Sequence, residues 1–204
     1  MTSLNKPVIL ASSSPYRKNL LGKILADFSC LAPNINEASL PNETVEQMVQ
    51  RLSLAKAQKL AESHPDHIII ASDQSAALDN KPLGKAGCFE KAVHQLRHQQ
   101  GKTLTFFTGL AVYNPANGQF YQDMDQTFVT FRQLSDDQIE NYLKIEQPYD
   151  CAGSFKSEGL GIILFEKIQT DDPNALIGLP LIKLVSILDK IGLKLPQASP
   201  SNQA

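Results

Sequence analysis

TLTFFTGLAVYNPANGQFYQDMDQTFVTF, residues 103–131, holds two long apolar-rich runs, Thr103–Tyr113 and Phe120–Phe131, on either side of Asn114-Pro115-Ala116-Asn117-Gly118. Their aromatic and β-branched content favours strands. Asn117-Gly118 is a strong hairpin signal. The rest of the chain alternates helical and strand-like patterns, so a long antiparallel hairpin at its centre argues against a purely parallel Rossmann arrangement. The fold class read from this is α/β, a mixed sheet with flanking helices.

Working outward, Val8-Ile9-Leu10 reads as a short central strand, followed by a helix from Pro15 to about Ala26 that buries Leu20, Leu21, Ile24 and Leu25. Phe28–Leu31 looks like a second strand entering the loop Ala32–Glu37. Thr44-Val45-Glu46-Gln47 is a capping box opening a long helix whose apolar face is Val45, Met48, Val49, Leu52, Ala55 and Leu60. Ser63-His64-Pro65-Asp66 breaks it. His67–Ala71 has the β-branched density of a strand buried on both faces. Phe89–His98 predicts a helix, Ser135-Asp136-Asp137-Gln138 caps another through Ile145, Gly161–Phe165 predicts a strand, and Pro180–Ile191 a last helix. No repeat or linker interrupts the pattern. Residues 1–195 read as one domain of two lobes around a cleft, and the polar stretch Pro196–Ala204 as a disordered tail.

With 204 residues, 42% of them hydrophobic, the chain can bury a substantial core. A formal charge of −2 disfavours a general binder of nucleic acid or anionic membrane, so a phosphate site must be a local cluster of cations. Cys30, Cys88 and Cys151 are far apart and form no CxxC pair, which indicates neither a disulfide framework nor a structural zinc site. Met1–Lys6 lacks the apolar core of a secretion signal, and no apolar run is long enough to span a bilayer. The expected location is the cytoplasm.

Three segments could carry chemistry. In Leu10-Ala11-Ser12-Ser13-Ser14-Pro15-Tyr16-Arg17, a buried strand gives way to a hydroxyl-rich turn and a helix opened by proline. Small side chains there admit a ligand to the backbone, Arg17 can fork onto a phosphate, and Tyr16 offers a ring on which a base could stack. A capped surface turn with an incidental arginine has the same appearance. Asp150-Cys151-Ala152-Gly153-Ser154-Phe155-Lys156-Ser157-Glu158-Gly159 allows close backbone approach and sets Lys156 and Glu158 in alternation. A glycine-rich turn with surface charges is the plainer account. Asn174–Leu181, with Gly178-Leu179-Pro180, reads as mainly architectural.

Single residues add to these. Asp73 and Gln74 follow the buried run Ile68–Ser72, and strand ends line clefts. A carboxylate at Asp73 could orient a water, take its proton, or help hold a hard cation. Glu37 is a second carboxylate that the strand order could bring to the same cleft. Lys56, Lys85 and Arg17 would make a clamp for a triphosphate, although each alone could be a solvated charge. His94 and His98, spaced i, i+4, are half a zinc site and lack further ligands. Neither GxGxxG nor GxxxxGK[ST] occurs, and no Ser-His-Asp or Cys-His set suggests itself.

Together, Leu10–Arg17, Glu37, Lys56, Ser72-Asp73-Gln74, Gly84-Lys85, Ala152-Gly153, Glu158-Gly159 and Gly178–Leu181 resemble the Maf family of nucleoside triphosphate pyrophosphatases. The likeness covers nearly the whole chain in order. Cys151–Gly159 looks like the YceF-like branch, associated with 7-methyl-GTP hydrolysis. Two positions depart from it: Tyr16 stands where tryptophan is expected and Ala86 where proline is usual. The resemblance implies a deep cleft in a mixed α/β fold related to the inosine-triphosphatase-like architecture. It also implies a divalent cation, Mg²⁺ or Mn²⁺, and cleavage between the α- and β-phosphates. By the same likeness Asp73 matches the proton acceptor. Ser12, Arg17, Glu37, Lys56 and Lys85 match phosphate and metal positions, and Tyr16, Gln74 and Glu158 match positions tied to base choice. Lys156 is added as a phosphate or ribose contact, and Asp73 as a second metal carboxylate. The implied partner is a small-molecule nucleoside triphosphate, with neither nucleic acid nor membrane, and a homodimer is allowed. A sister activity on dTTP, UTP or CTP, or a non-catalytic nucleotide sensor in division control, remain alternatives.

The base itself can be argued physically. N7 methylation makes guanine cationic, and a flat cation is drawn to an aromatic face by about 0.5–2 kcal/mol. Guanine's N1–H and N2–H₂ donors lie side by side, where one carboxylate can accept from both. Tyr16 for the face and Glu158 for the edge meet both demands, whereas uracil and thymine would turn carbonyl oxygens toward Glu158.

Overall fold

The computed structural model describes residues 6–196, so the stretch Pro196–Ala204 expected to be disordered lies, apart from Pro196, outside the described residues. Seven strands form one mixed sheet: β1 (Val8–Leu10), β2 (Ser29–Cys30), β3 (Ile68–Leu78), β4 (Lys81–Leu83), β5 (Thr103–Asn114), β6 (Gln119–Phe131) and β7 (Phe165–Gln169). Their order is β2-β1-β3-β5-β6-β7, with β4 also pairing β3. β1 runs parallel to β2 and β3, and the remaining pairings are antiparallel. The β5–β6 hairpin is continuous from Thr103 opposite Thr130 to Asn114 opposite Gln119, as the sequence predicts.

β3 runs well past the expected end at Ala71. Ala71, Ser72, Ser75, Ala76 and Ala77 carry little strand signal of their own, but β5 pairs with β3 from Ile69 to Ala77 and holds them extended. Asp73 therefore sits within a strand rather than after one. The opening beside it has another origin. β5 occupies one edge of β3, while β1 covers the other edge only over Ile68–Ile70 and β4 only over Ala76–Leu78. Between these two short partners that edge of β3 is unpaired, and this gap is the floor of the cleft.

The alternation of side chains along a strand sorts the core into layers. Ile68 and Ile70 pack with Leu110, Val112, α1 (Pro15–Leu21) and α5 (Leu181–Lys190) on one face. Ile69 and Ala71 pack with Ala57 and Leu60 of α2 (Val45–Ser63) on the other. A separate cluster joins Ala76, Phe106 and Phe131 to α3 (Phe89–Gln99), α4 (Asp136–Glu146) and Phe155. The capping box expected at Thr44 is formed, and the cap expected at Ser135 is a capping box too, each contributing about 1 kcal/mol.

Two elements differ from the sequence reading. α1 ends at Leu21, not near Ala26; Lys23 and Ile24 then donate to carbonyls three residues back, a tighter 3-10 winding that carries the apolar periodicity on to the buried Leu25. Gly161–Phe165 is not a strand. Leu160–Leu164 forms a 3-10 turn that leaves Ile162 and Ile163 about half exposed, and β7 begins only at Phe165. Among the described residues no helix is long and apolar enough to cross a membrane.

Candidate active site

Side-chain alternation on β3 sends Asp73 to the α2 face and Ser72 and Gln74 to the opposite one. α2 lies against the sheet beside Asp73 because Gly109, directly across the ladder, has no side chain. A Cβ there would stand 2.6 Å from the Val49 carbonyl oxygen and 3.0 Å from Ser53 Oγ. Two turns beyond Val49 on the same helix face, Lys56 reaches Asp73, its Nζ 2.6 Å from Asp73 Oδ1 and 2.7 Å from Glu37 Oε1. Lys56 and Asp73 are buried, whereas the Glu37 side chain is 59% exposed at the rim.

Glu37 belongs to a loop clipped to α2 by Arg51. Arg51 Nη2 donates to Ala38 O at 3.1 Å, and the guanidinium pairs with Glu43 through Nε at 2.5 Å and Nη2 at 2.7 Å. That hydrogen-bonded pair brings the Glu43 carboxyl down to about 2, despite some desolvation.

On the other face of β3, Ser72 Oγ and Arg17 Nε both donate to the Gly178 carbonyl at 2.9 Å. Gly178 adopts φ +122, and a Cβ there would lie 3.3 Å from Arg17 Nε. The Gly178-Leu179-Pro180 turn therefore aims Arg17 into the cleft as well as closing a loop. Desolvation lowers the Arg17 pKa from its ordinary value, opposed by the charges of Asp73 and Glu37. Gln74 Nε2 donates to Thr108 Oγ1 and to the carbonyls of Ala175 and Leu176 at 2.8–3.0 Å. Its N–H groups are thereby committed to β5 and to the Ala175–Ile177 turn.

The far wall comes from the segment after α4. Lys85 bridges to Ala152, and Gln95 ties Gly84 O to the Ser154 hydroxyl, fixing both rims of that wall. Ala86, where proline was expected, packs against the α3–α4 core. Tyr16 faces this wall: burial raises its phenol above the ordinary range, Cys151, Glu158 and Asp150 raise it further, and Lys156 opposes them. Burial, with Asp150 beside it, pushes the Cys151 thiol up to about 12, which leaves it a poor nucleophile.

Between these walls lies one cleft of about 530 Å³. Ser12, Tyr16, Arg17, Glu37, Lys56 and Asp73 line it, and so do Gln74, Lys85, Lys156 and Glu158; every site residue named from the sequence is present. Lys56 and Glu37 lie against Asp73, Arg17 is near enough to feel both carboxylates, and Lys85 and Lys156 belong to the far wall, while Phe106, Phe155, Leu176 and Ile177 give an apolar lining of the kind a base ring needs. His94 and His98 lie outside it, exposed on α3. Among the described residues no three His, Cys, Asp or Glu side chains form a metal cage. Glu37 and Asp73, facing one another across the Lys56 ammonium, nonetheless fit the one or two carboxylates that Mg²⁺ uses when phosphate oxygens complete its shell. Sequence reading missed Gly109 and Arg51. Only Gly109, a glycine inside a strand, carried a local signal of close approach.

The family described as Maf-like protein matches residues 7–191. Proteins of Hydrogenovibrio crunogenus (54% identical, covering 93% of this chain and 94% of theirs) and Pseudomonas syringae (48%, covering 93% and 98%) are named 7-methyl-GTP pyrophosphatase. A relative from Colwellia psychrerythraea, 47% identical over 92% of this chain and 94% of its own, has the same name. The structure of the Staphylococcus aureus Ham1 protein superposes with a TM-score of 0.52 over 91% of this chain and 99% of that one; at 15% identity the likeness is one of fold. With the family pattern running through nearly every element of the sheet and both walls of the cleft, this chain belongs to the Maf family.

Proposed function

We infer that this chain is a nucleoside triphosphate pyrophosphatase that hydrolyses 7-methyl-GTP to 7-methyl-GMP and diphosphate, and so keeps a modified nucleotide out of nucleic acids. The observation that carries this reading is that one cleft holds a buried Lys56–Asp73 pair flanked by Arg17 at one end, and Tyr16 with Glu158 at the other. The relatives' shared name agrees with it. The substrate class puts the reaction in the cytoplasmic nucleotide pool, on a free small molecule.

Arg17, Lys56 and Lys85 neutralise the triphosphate and the charge that grows on the leaving diphosphate. Asp73 orients a water, whose oxygen bonds to the α-phosphorus as the α–β bridging bond breaks, and takes its proton. The diphosphate leaves with the bridging oxygen. Ser12 supports the phosphates and Lys156 the phosphate or ribose. Glu37 and Asp73 would hold Mg²⁺ or Mn²⁺, which when bound withdraws charge from the phosphate oxygens. At the other end Tyr16 stacks on the cationic base and Glu158 accepts from its N1–H and N2–H₂. Initial rates of diphosphate release from 7-methyl-GTP, GTP, dTTP, UTP and CTP test the assignment. The highest kcat/KM is expected for 7-methyl-GTP; a clear preference for dTTP or UTP overturns it.

A further inference from the structure

The side chain that most resists a purely structural explanation is Glu146. It lies in the last turn of α4, where the helix dipole disfavours an acid, yet it is largely buried, its side chain 18% exposed. Its contacts run to the segment that carries Glu158. Oε2 accepts from the Leu160 backbone N–H at 2.9 Å, and Oε1 lies 3.5 Å from Lys156 Nζ. Lys156 Nζ also donates to the Glu146 main-chain carbonyl at 3.3 Å, placing a cation at the helix end and offsetting the misplaced acid. One turn earlier on α4, Tyr142 Oη accepts from the Lys156 backbone N–H at 3.3 Å.

The segment itself is shaped for this clasp. A Cβ on Gly159 would stand 2.9 Å from Glu146 Oε2, and one on Gly161 2.3 Å from the Lys156 carbonyl oxygen. Neither glycine touches the cleft. Residues 156–160 are therefore held to α4 at both ends, at Leu160 by the Glu146 carboxylate and at Lys156 by Tyr142 on the backbone and Glu146 on the side chain, with Glu158, exposed and lining the cleft, between them.

We propose that Glu146 is a positioning residue for base selection: it holds the 156–160 loop so that the Glu158 carboxylate meets the base edge, and it fixes where the Lys156 ammonium sits. The proposal deepens the reading of Glu158 as the base-edge acceptor and depends on it. The two contacts separate chemically. Glu146→Gln keeps an acceptor for the Leu160 N–H but loses the charge on Lys156, whereas Glu146→Ala loses both.

The test compares kcat/KM for 7-methyl-GTP and UTP in the unsubstituted enzyme, Glu146→Ala, Glu146→Gln and Glu158→Gln. Glu146→Ala lowers the 7-methyl-GTP/UTP ratio by roughly tenfold or more, as expected for losing a hydrogen bond to a charged acceptor. The change falls mainly on KM, because the Lys56–Asp73 pair is untouched. Glu146→Gln holds the ratio within about threefold while raising KM for both nucleotides alike, a rescue that a merely structural acid would not give. If Glu158→Gln erodes the ratio and Glu146→Ala does not, the positioning role is wrong and the base-edge reading stands. If neither erodes it, the base-edge reading fails first and the positioning role with it. Equal erosion by Glu146→Gln and Glu146→Ala also overturns the proposal, since the Leu160 contact would then not be what places the loop.

Discussion

Asp73 and Lys56 are buried ions 2.6 Å apart, and each is costly without the other. Replacing Lys56 with methionine should lower unfolding stability by about 3–5 kcal/mol, the range found when one partner of a buried pair is removed. Urea unfolding checks it; a loss below 1 kcal/mol would mean that water reaches the pair freely. Asp73→Asn keeps shape and a hydrogen-bond acceptor for Lys56 but not the basicity. Its kcat should fall by about 10² or more, while 7-methyl-GTP still binds in calorimetry. Near-normal turnover would remove Asp73 from the mechanism. At this scale the sequence was informative about identity and weak about placement. Asp73 was legible as an acid following a buried run, but its position came from β1 and β4 stopping short on either side of it. Glu146 gave no such signal, because its partners lie fourteen and ten residues away in sequence and meet it only after folding.

The elements that fold against local preference are the ones that shape the site. β3 continues through a run of alanine and serine because β5 pairs with it; propensity alone ends it early. The hairpin, the two capping boxes and the strand at Ile68 were legible because period, turn chemistry and burial all agree there. The 3-10 turn at Leu160 was not, since Ile162 and Ile163 are apolar yet half exposed. Where α2 meets β5, Gly109→Ala must move a backbone rather than a flexible side chain. It should destabilise by about 1–3 kcal/mol and reduce kcat by displacing Lys56; a variant with normal stability and rate would show that α2 can slide. The Arg51–Glu43 clip gives the Glu37 loop an acid limit. The Glu43 carboxyl titrates near 2, below its ordinary value, so its contribution is present above the ordinary carboxylate range and is lost as pH falls toward 2. Arg51→Gln should remove that acid-side dependence when unfolding is followed from pH 6 to pH 2; an unchanged profile would assign it elsewhere.

Across the whole molecule, a sheet with one interrupted edge gathers acids and cations from α1, the Glu37 loop, α2, β3, Lys85 beyond β4 and the 150–158 segment into a cleft, while a second acid cluster lies apart from it. Asp125 on β6 is buried, and among the described residues its carboxylate accepts only from the Thr170 hydroxyl, at 3.5 Å. Burial raises its pKa; Lys183 opposes that shift, and Asp172 and Asp171 add to it. Because the folded value lies above the ordinary one, stability falls as pH rises through that interval. Asp125→Asn should therefore raise the unfolding midpoint at pH 7, with the gain shrinking as pH falls to about 4; a lowered midpoint at pH 7 would show that the carboxylate has a partner it needs. On this reading the cleft directs water at the α-phosphorus of 7-methyl-GTP. Hydrolysis in ¹⁸O-labelled water, with mass analysis of both products, tests this most directly. Label is expected in 7-methyl-GMP and none in the diphosphate. Label in the diphosphate, or release of orthophosphate in its place, would contradict it.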